Sequence, residues 1–442
     1  MTTLQNFSYF PVEFTKDGQV FDPAQVEALV AGLKQPPPTD LLVLSHGWNN
    51  DMHDAQGLYD TFLAAFRPVL EGAAKAVLAG RTFAVLGVLW PSKKFADTQL
   101  IPSGAAGANS PITNALLVAA LDRLKGVFDA PGADQVLEQA KALIPRLEDS
   151  PKAQGDFADL LRQVLPATEK SPDVDAGAAF RTLPGQDVLA RLAKPLPAAT
   201  RGPGPAHGPG AGPGANPVGH AAGLGSFFGG IKAGALNLLN YTTYYQMKER
   251  AGNVGRDGLH GVLRRVRQEA PQVKLHLVGH SFGGRVVTAA AAGADGLPDL
   301  QVQTLTLLQA AFSHYGFSDN YDGQQAGFFR RVLTNHTVQG PILISHSVKD
   351  SAVGTMYPLA SMLARQVGAG LGDAHDKFGG MGRNGAQKTP EATEGPMAAV
   401  GGTYAFKAGK IYNLNADAII QEHSDICHPE VAYALLRAIA TT

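Results

Sequence analysis

The sequence predicts an α/β protein, with a mostly parallel central sheet flanked by helices and a long, partly helical cap and linker inserted into it. Three observations lead there. Apolar runs at 41–44, 82–90, 273–278, 302–308, 341–347 and 410–414 recur with helix-period segments between them, as expected of strands buried on both faces and joined by crossover helices. The run at 273–278 stops at Gly279-His280-Ser281-Phe282-Gly283, and the small residues after it read as a helix. Strand, tight turn and helix thus follow in direct succession. From about 97 to 240 the alternation stops and the composition shifts to Ala, Pro and Gly. The chain therefore divides into an N-terminal core part at 1–96, an insertion at 97–240 and a C-terminal core part at 241–442.

Taken in order, residues 8–20 alternate apolar and polar around Lys16-Asp17-Gly18 and read as a β-hairpin. Asp22-Pro23 supplies the N-cap and first turn of a helix carrying Val26, Leu29, Val30 and Leu33, which Pro36-Pro37-Pro38 ends. The strand at 41–44 runs into Ser45-His46-Gly47-Trp48-Asn49-Asn50-Asp51, and a helix over about 54–72 leads to the strand at 82–90. In the insertion, helical patterns near 112–128, 133–148 and 153–165 make a cap over about 97–195. The Pro/Gly-rich tract at about 195–230 reads as a flexible linker, with too little apolar content at 200–217 to pack.

The segment from Asn240 to Arg250 interleaves aromatic and basic residues and reads as a half-buried crossover helix. Leu259, Val262, Leu263 and Val266 then lead into the strand before Ser281. Beyond it, Ala310-Ala311-Phe312-Ser313-His314 is the exit loop of the strand at 302–308, where His314 either lines a pocket or is structural. A glycine-rich loop covers about 366–403, and the strand at 410–414 is the last. His423-Ser424-Asp425-Ile426-Cys427-His428 leads to a helix from Pro429 with Val431, Leu435, Leu436 and Ile439 on one face.

Composition narrows the partners. A net charge of −1 with 17% charged residues gives no electrostatic footprint for nucleic acid or an anionic membrane. The single Cys427, read as a packed thiol, rules out an intrachain disulfide framework and fits a reducing compartment. No apolar run reaches membrane-spanning length, and the first residues carry no Sec-type pattern. The expectation is a soluble, cytoplasmic protein, with export by a route other than Sec left open.

The chemistry centres on Ser281. A bare Gly-x-Ser-x-Gly would arise by chance roughly 0.3 times in a chain this rich in glycine, so its context between strand and helix is what gives it weight. Gly279 and Gly283 leave room for a strained turn that lifts the hydroxyl out of the sheet. A serine hydroxyl is a weak nucleophile at neutral pH and needs a histidine base oriented by a carboxylate. Of the aspartates beyond Ser281, only Asp350 and Asp417 lie a few residues past an apolar strand. Asp417 follows the strand expected to carry the histidine, which leaves Asp350 for the acid, against the alternative of a helix N-cap. For the base, His423 lies in the loop after the last strand. His428 is tied to the start of the helix at Pro429. His46-Gly47 directly after an early strand is expected to let the backbone turn so that the Trp48 N–H faces the reacting carbonyl, with Phe282 supplying a second N–H, against the alternative of an ordinary turn formed by the Asn and Asp residues that follow.

Together these stretches resemble the α/β-hydrolase superfamily, in its esterase and lipase-like branch, over roughly residues 40–95 and 240–442. The resemblance implies an acyl-enzyme mechanism without metal or cofactor. In it His423 takes the proton of Ser281, and the Trp48 and Phe282 amides hold the oxyanion, supported by His46, Gly47, Gly279 and Gly283. The long insertion departs from the family pattern, and caps decide access. The substrate expected is a small or lipid-like carboxylic ester, with peripheral lipid contact through the insertion. A phospholipase-type effector and a catalytically silent hydrolase-fold binding protein are the competing readings. The complete set Ser281, Asp350 and His423 counts against silence, because a binding module has no need of all three.

Overall fold

The computed structural model of the chain describes residues 2–92, 112–165, 177–194, 230–296, 300–350, 352–354, 363, 374 and 376–442. The linker expected at about 195–230 and the opening of the cap at 97–111 lie outside the described residues. Nine strands are described: β1 (Thr2–Leu4), β2 (Phe7–Glu13), β3 (Asp40–Ser45), β4 (Phe83–Leu89), β5 (Lys274–His280), β6 (Thr304–Leu308), β7 (Ile342–His346), β8 (Ala392–Pro396) and β9 (Ile411–Asn415). They form one sheet in the order β1-β2-β4-β3-β5-β6-β7-β9-β8, with only the β1–β2 pair antiparallel. The architecture is therefore α/β, a mostly parallel sheet flanked by helices.

The strand order reverses at β3. After β4 pairs on one side of it, the chain crosses to pair β5 on the other. A crevice outside the carboxyl ends of the strands forms at such a switch point. Register brings those ends level: Ser45 pairs with Gly279, His280 with Leu308, Leu308 with Ser345, and His346 with Asn415.

Side chains of the central strands alternate between two apolar layers. Leu41, Val43, Leu275 and Leu277 face one layer, which includes helices Asn114–Arg123, Ala133–Leu143, Pro151–Gln163, Gly185–Leu192, Ile231–Asn253, His260–Glu269 and Phe282–Ala292. Leu42, Leu44 and Val278 face the other, covered by helices Met52–Glu71 and Pro429–Ile439. The described helices of the insertion thus share one continuous apolar layer with the sheet, through Leu117, Leu137, Phe157 and Val188.

Three local expectations are corrected. The hairpin lies at β1–β2, turned by Gln5 and Asn6 at φ 47° and 61°, whereas the 14–20 turn closes on the single bridge Phe14–Val20. The apolar–polar alternation of β2 serves parallel pairing with β4 instead. The crossover helix spans Ile231–Asn253 and is buried nearly all round. Its polar groups find partners that sequence cannot display: Asn237 Nδ2 donates to Leu192 O at 2.9 Å, Gln246 Nε2 to Asp129 Oδ2 at 2.8 Å, and Arg250 to Pro91 O at 2.7 Å. Finally, the glycine-rich loop at 366–403 contains β8, an edge strand of sequence Ala-Thr-Glu-Gly-Pro. Its mostly exposed residues carry little strand propensity, and a proline is tolerated at a sheet edge.

Candidate active site

Ser281 stands between β5 and helix Phe282–Ala292 with φ 56° and ψ −126°, a conformation few non-glycine residues adopt. The neighbouring glycines make room for it. A Cβ on Gly279 would run into the Gly283 carbonyl, and one on Gly283 into the Ser45 carbonyl. The turn is held by Ser281 N–H donating to Leu308 O and Ala311 N–H donating to Ser281 O, both at 3.0 Å.

His423 reaches Ser281 from the irregular stretch between β9 and helix Pro429–Ile439. Its Nε2 lies 2.8 Å from Ser281 Oγ, and its Nδ1 lies 2.8 Å from Asp350 Oδ2. Because the carboxylate accepts, Nδ1 carries the hydrogen and Nε2 is free to accept from the serine hydroxyl. The Asp350 carboxylate is wholly buried, while the His423 side chain keeps 17% of its exposure, so the imidazole is reachable and the carboxylate beside it is dry. Asp350 fills both roles weighed for it. Oδ2 faces His423, and Oδ1 accepts from Val353 N–H at 2.9 Å as a helix cap does.

His46 shapes the turn after β3. Its Nδ1–H donates to Gly47 O at 2.9 Å, its Nε2 accepts from Trp90 N–H at 3.2 Å, and its ring stacks on Trp90. Burial pushes its pKa down to about 4, which keeps it neutral. Asn50 Nδ2 also donates to Gly47 O, at 3.3 Å. In a trans peptide the carbonyl and the next N–H point in opposite directions, so the Trp48 N–H is turned away from His46. Gly47 itself abuts Ser281: a Cβ there would lie 3.1 Å from Ser281 Oγ. Among the described residues, neither the Trp48 nor the Phe282 amide N–H has a backbone partner. Trp48 and Tyr244 pack on Phe282 with ring centroids 6.1 and 5.2 Å away, within the larger apolar layer.

The other candidates stand elsewhere. Asp417 Oδ1 accepts from Val348 N–H at 2.8 Å, bracing the loop that carries Asp350 without meeting His423. His428 bonds Asp425 Oδ1 at 2.6 Å and precedes the C-terminal helix. His314 is buried against Asn384, with its pKa pushed down to about 3 by burial. Burial likewise pushes the Cys427 thiol up to about 11.

Two residues that sequence reading passed over touch the constellation. Gln309, at φ 47° directly after β6, donates Nε2–H to Asp350 Oδ2 at 3.3 Å and to Gly382 O at 3.1 Å, and its Oε1 accepts from Ser345 Oγ at 2.9 Å. His280 Nε2 lies 2.9 Å from the His423 carbonyl oxygen. A polar residue at the end of an otherwise apolar strand was the available signal for both.

The arrangement can move a proton from Ser281 to His423 while Asp350 holds the resulting imidazolium. Among the described residues, no three His, Cys, Asp or Glu side chains group as a metal site, and no helix is long and apolar enough to cross a membrane. Compared with family models, curated proteins and solved structures, the chain matches none.

Proposed function

We propose that the chain is a serine hydrolase of the α/β-hydrolase kind that cleaves carboxylic esters through an acyl-enzyme. One observation carries the reading: Ser281 Oγ, both ring nitrogens of His423 and Asp350 Oδ2 form an unbroken hydrogen-bonded line with two 2.8 Å links. Oγ attacks the ester carbonyl carbon as His423 Nε2 takes its proton. The carbonyl oxygen becomes an oxyanion, which the Trp48 and Phe282 N–H groups receive. Each such donor is typically worth about 10²–10³ in turnover. Collapse of the tetrahedral species breaks the bond to the alcohol, which leaves with the proton from His423. Water then repeats the sequence on the acyl-serine, with His423 as base, and the acid departs.

The partly buried Trp48, next in the chain to the Gly47 that abuts Ser281, favours an apolar acyl or alcohol group there. The test is covalent. A fluorophosphonate probe should label the folded chain, and Ser281→Ala should abolish both labelling and hydrolysis of 4-nitrophenyl butyrate. Labelling that persists in Ser281→Ala, or its absence in the unaltered chain, would overturn the reading.

A further inference from the structure

We propose that His280 is a positioning residue for the base: by donating its Nε2–H to the His423 carbonyl it fixes the loop on which the Ser281–His423 contact depends. The inference rests on the hydrolase reading above. A ring held at one nitrogen by a carboxylate still swings if its own backbone moves, and His423 lies in an irregular stretch. Among the described residues, the backbone bonds of 421–426 otherwise close within the stretch itself: Gln421 N–H to Asp425 Oδ2, Asp425 N–H to Glu422 O, and Ile426 N–H to Ser424 O. Ile420 and Ile426 anchor the two ends of the stretch in an apolar layer, and Ser347 Oγ donates to Ile420 O at 3.3 Å; between those ends the 2.9 Å bond from His280 ties the His423 backbone itself to the sheet.

The donor is well placed for this. His280 is the last residue of β5 and the immediate neighbour of Ser281, so one strand end carries both the nucleophile and the tether of its base. A carbonyl only accepts, which assigns the hydrogen of His280 to Nε2 and leaves Nδ1 bare. Nδ1 is buried, and no described group partners it, so the ring has a single bonded task. Its charge state suits that task. Burial first, and then the charge of His423, push the pKa of His280 down to about 3. When His423 becomes an imidazolium, the ring whose centroid lies 4.9 Å away therefore stays neutral and does not oppose it.

Side chains of graded shape separate tethering from space-filling. Gln places its amide nitrogen where His carries Nε2, Asn places it nearer Nδ1, and Leu has no donor. The readouts are kcat and KM on 4-nitrophenyl butyrate, the rate of fluorophosphonate labelling, and Tm. Displacing reacting groups by 1 Å costs on the order of 10²-fold. His280→Asn and His280→Leu should therefore lower kcat and the labelling rate by about 10- to 100-fold, with KM nearly unchanged. His280→Gln should recover most of the loss. A wild-type kcat in His280→Leu, or equal losses in His280→Gln and His280→Leu, overturns the tether while leaving the hydrolase reading intact. An unaltered chain that neither labels nor hydrolyses the ester overturns both.

Discussion

Substituting Gly47 by Ala tests how tightly the turn after β3 is fitted to the nucleophile. A Cβ at this position would lie 2.5 Å from Ser281 Cβ and 3.1 Å from His280 O. Carbon atoms in contact prefer about 3.5–4.0 Å, so the two turns must part by roughly 1 Å. Gly47 does not occupy a positive φ, so alanine's own backbone preferences add nothing to the cost. The strands beneath cannot slide apart, since Ser45 is in register with Gly279. The displacement falls on the Gly47–Trp48 peptide and on Ser281. A shift of that size costs about 10²-fold in turnover, or about 2.7 kcal/mol, before any loss of the Trp48 donor is added. Overpacking should also lower stability by about 1–3 kcal/mol.

Both quantities are measurable: kcat on 4-nitrophenyl butyrate, and ΔG from urea unfolding. The source of the strain can be isolated in a cycle with Ser281→Gly, which removes the Cβ that the new methyl meets. In that background Gly47→Ala should cost clearly less stability. Turnover by Gly47→Ala within about threefold of wild type, or equal destabilisation in both backgrounds, would refute the contact as the cause.

Two further outcomes follow from the same geometry. Asp350→Asn should lower kcat by about 10³- to 10⁴-fold with the fold retained, because the amide no longer holds the correct tautomer of His423; Asp417→Asn and His428→Ala should each change it less than about tenfold, and steady-state rates with circular dichroism check all three. Stability should fall as pH drops below about 6.5, where unfolded histidines begin to bind protons. His46, His280 and His314, pushed down by burial to about 4, 3 and 3, stay unprotonated in the fold. Each therefore costs up to about 1.4 kcal/mol per pH unit between its unfolded and folded pKa. Asp40 adds to the loss in stronger acid: burial raises its pKa, but hydrogen bonds from Arg81, His276 and Thr39 hold it well below the usual carboxylate range, and that stability goes as pH falls below about 4. A urea midpoint unchanged between pH 7 and pH 5 would contradict this.

What the sequence displayed and what it hid divide along physical lines. Strands such as Leu-Leu-Val-Leu in β3 and the run before Ser281 are buried on both faces, and that burial is written in their composition. The strand–turn–helix at Ser281 was legible because only glycine fits where the Gly279 and Gly283 backbones meet their neighbours. Asp350 and His423 could be placed in the loops that follow strands, and the structure brings His423 to Ser281 and Asp350 to His423. Gln309 gave only the weak signal of a polar residue at the end of an apolar strand, and its role is visible only once its partners Ser345 and Asp350 are folded beside it. The same holds for helix Ile231–Asn253, whose polar residues look solvent-facing until Asp129 and Leu192 arrive from the insertion. Strand β8 was hidden for the opposite reason: its pairing with β9 is backbone alone, on residues that bury little.

The position of β3 sets the timetable on which this protein can fold as it is made. β3 has β4 beside it early, but its other neighbour is β5, with Asp40 paired to Lys274. At about 5–20 residues per second, the ribosome needs roughly 10–40 s to travel from the end of β4 to the end of β5. Throughout that interval the fully buried Leu41, Leu42, Val43 and Leu44 would present one bare edge to whatever else is in the cell. Because Ser281 follows β5 directly, the gap in the sheet closes with the strand that delivers that serine.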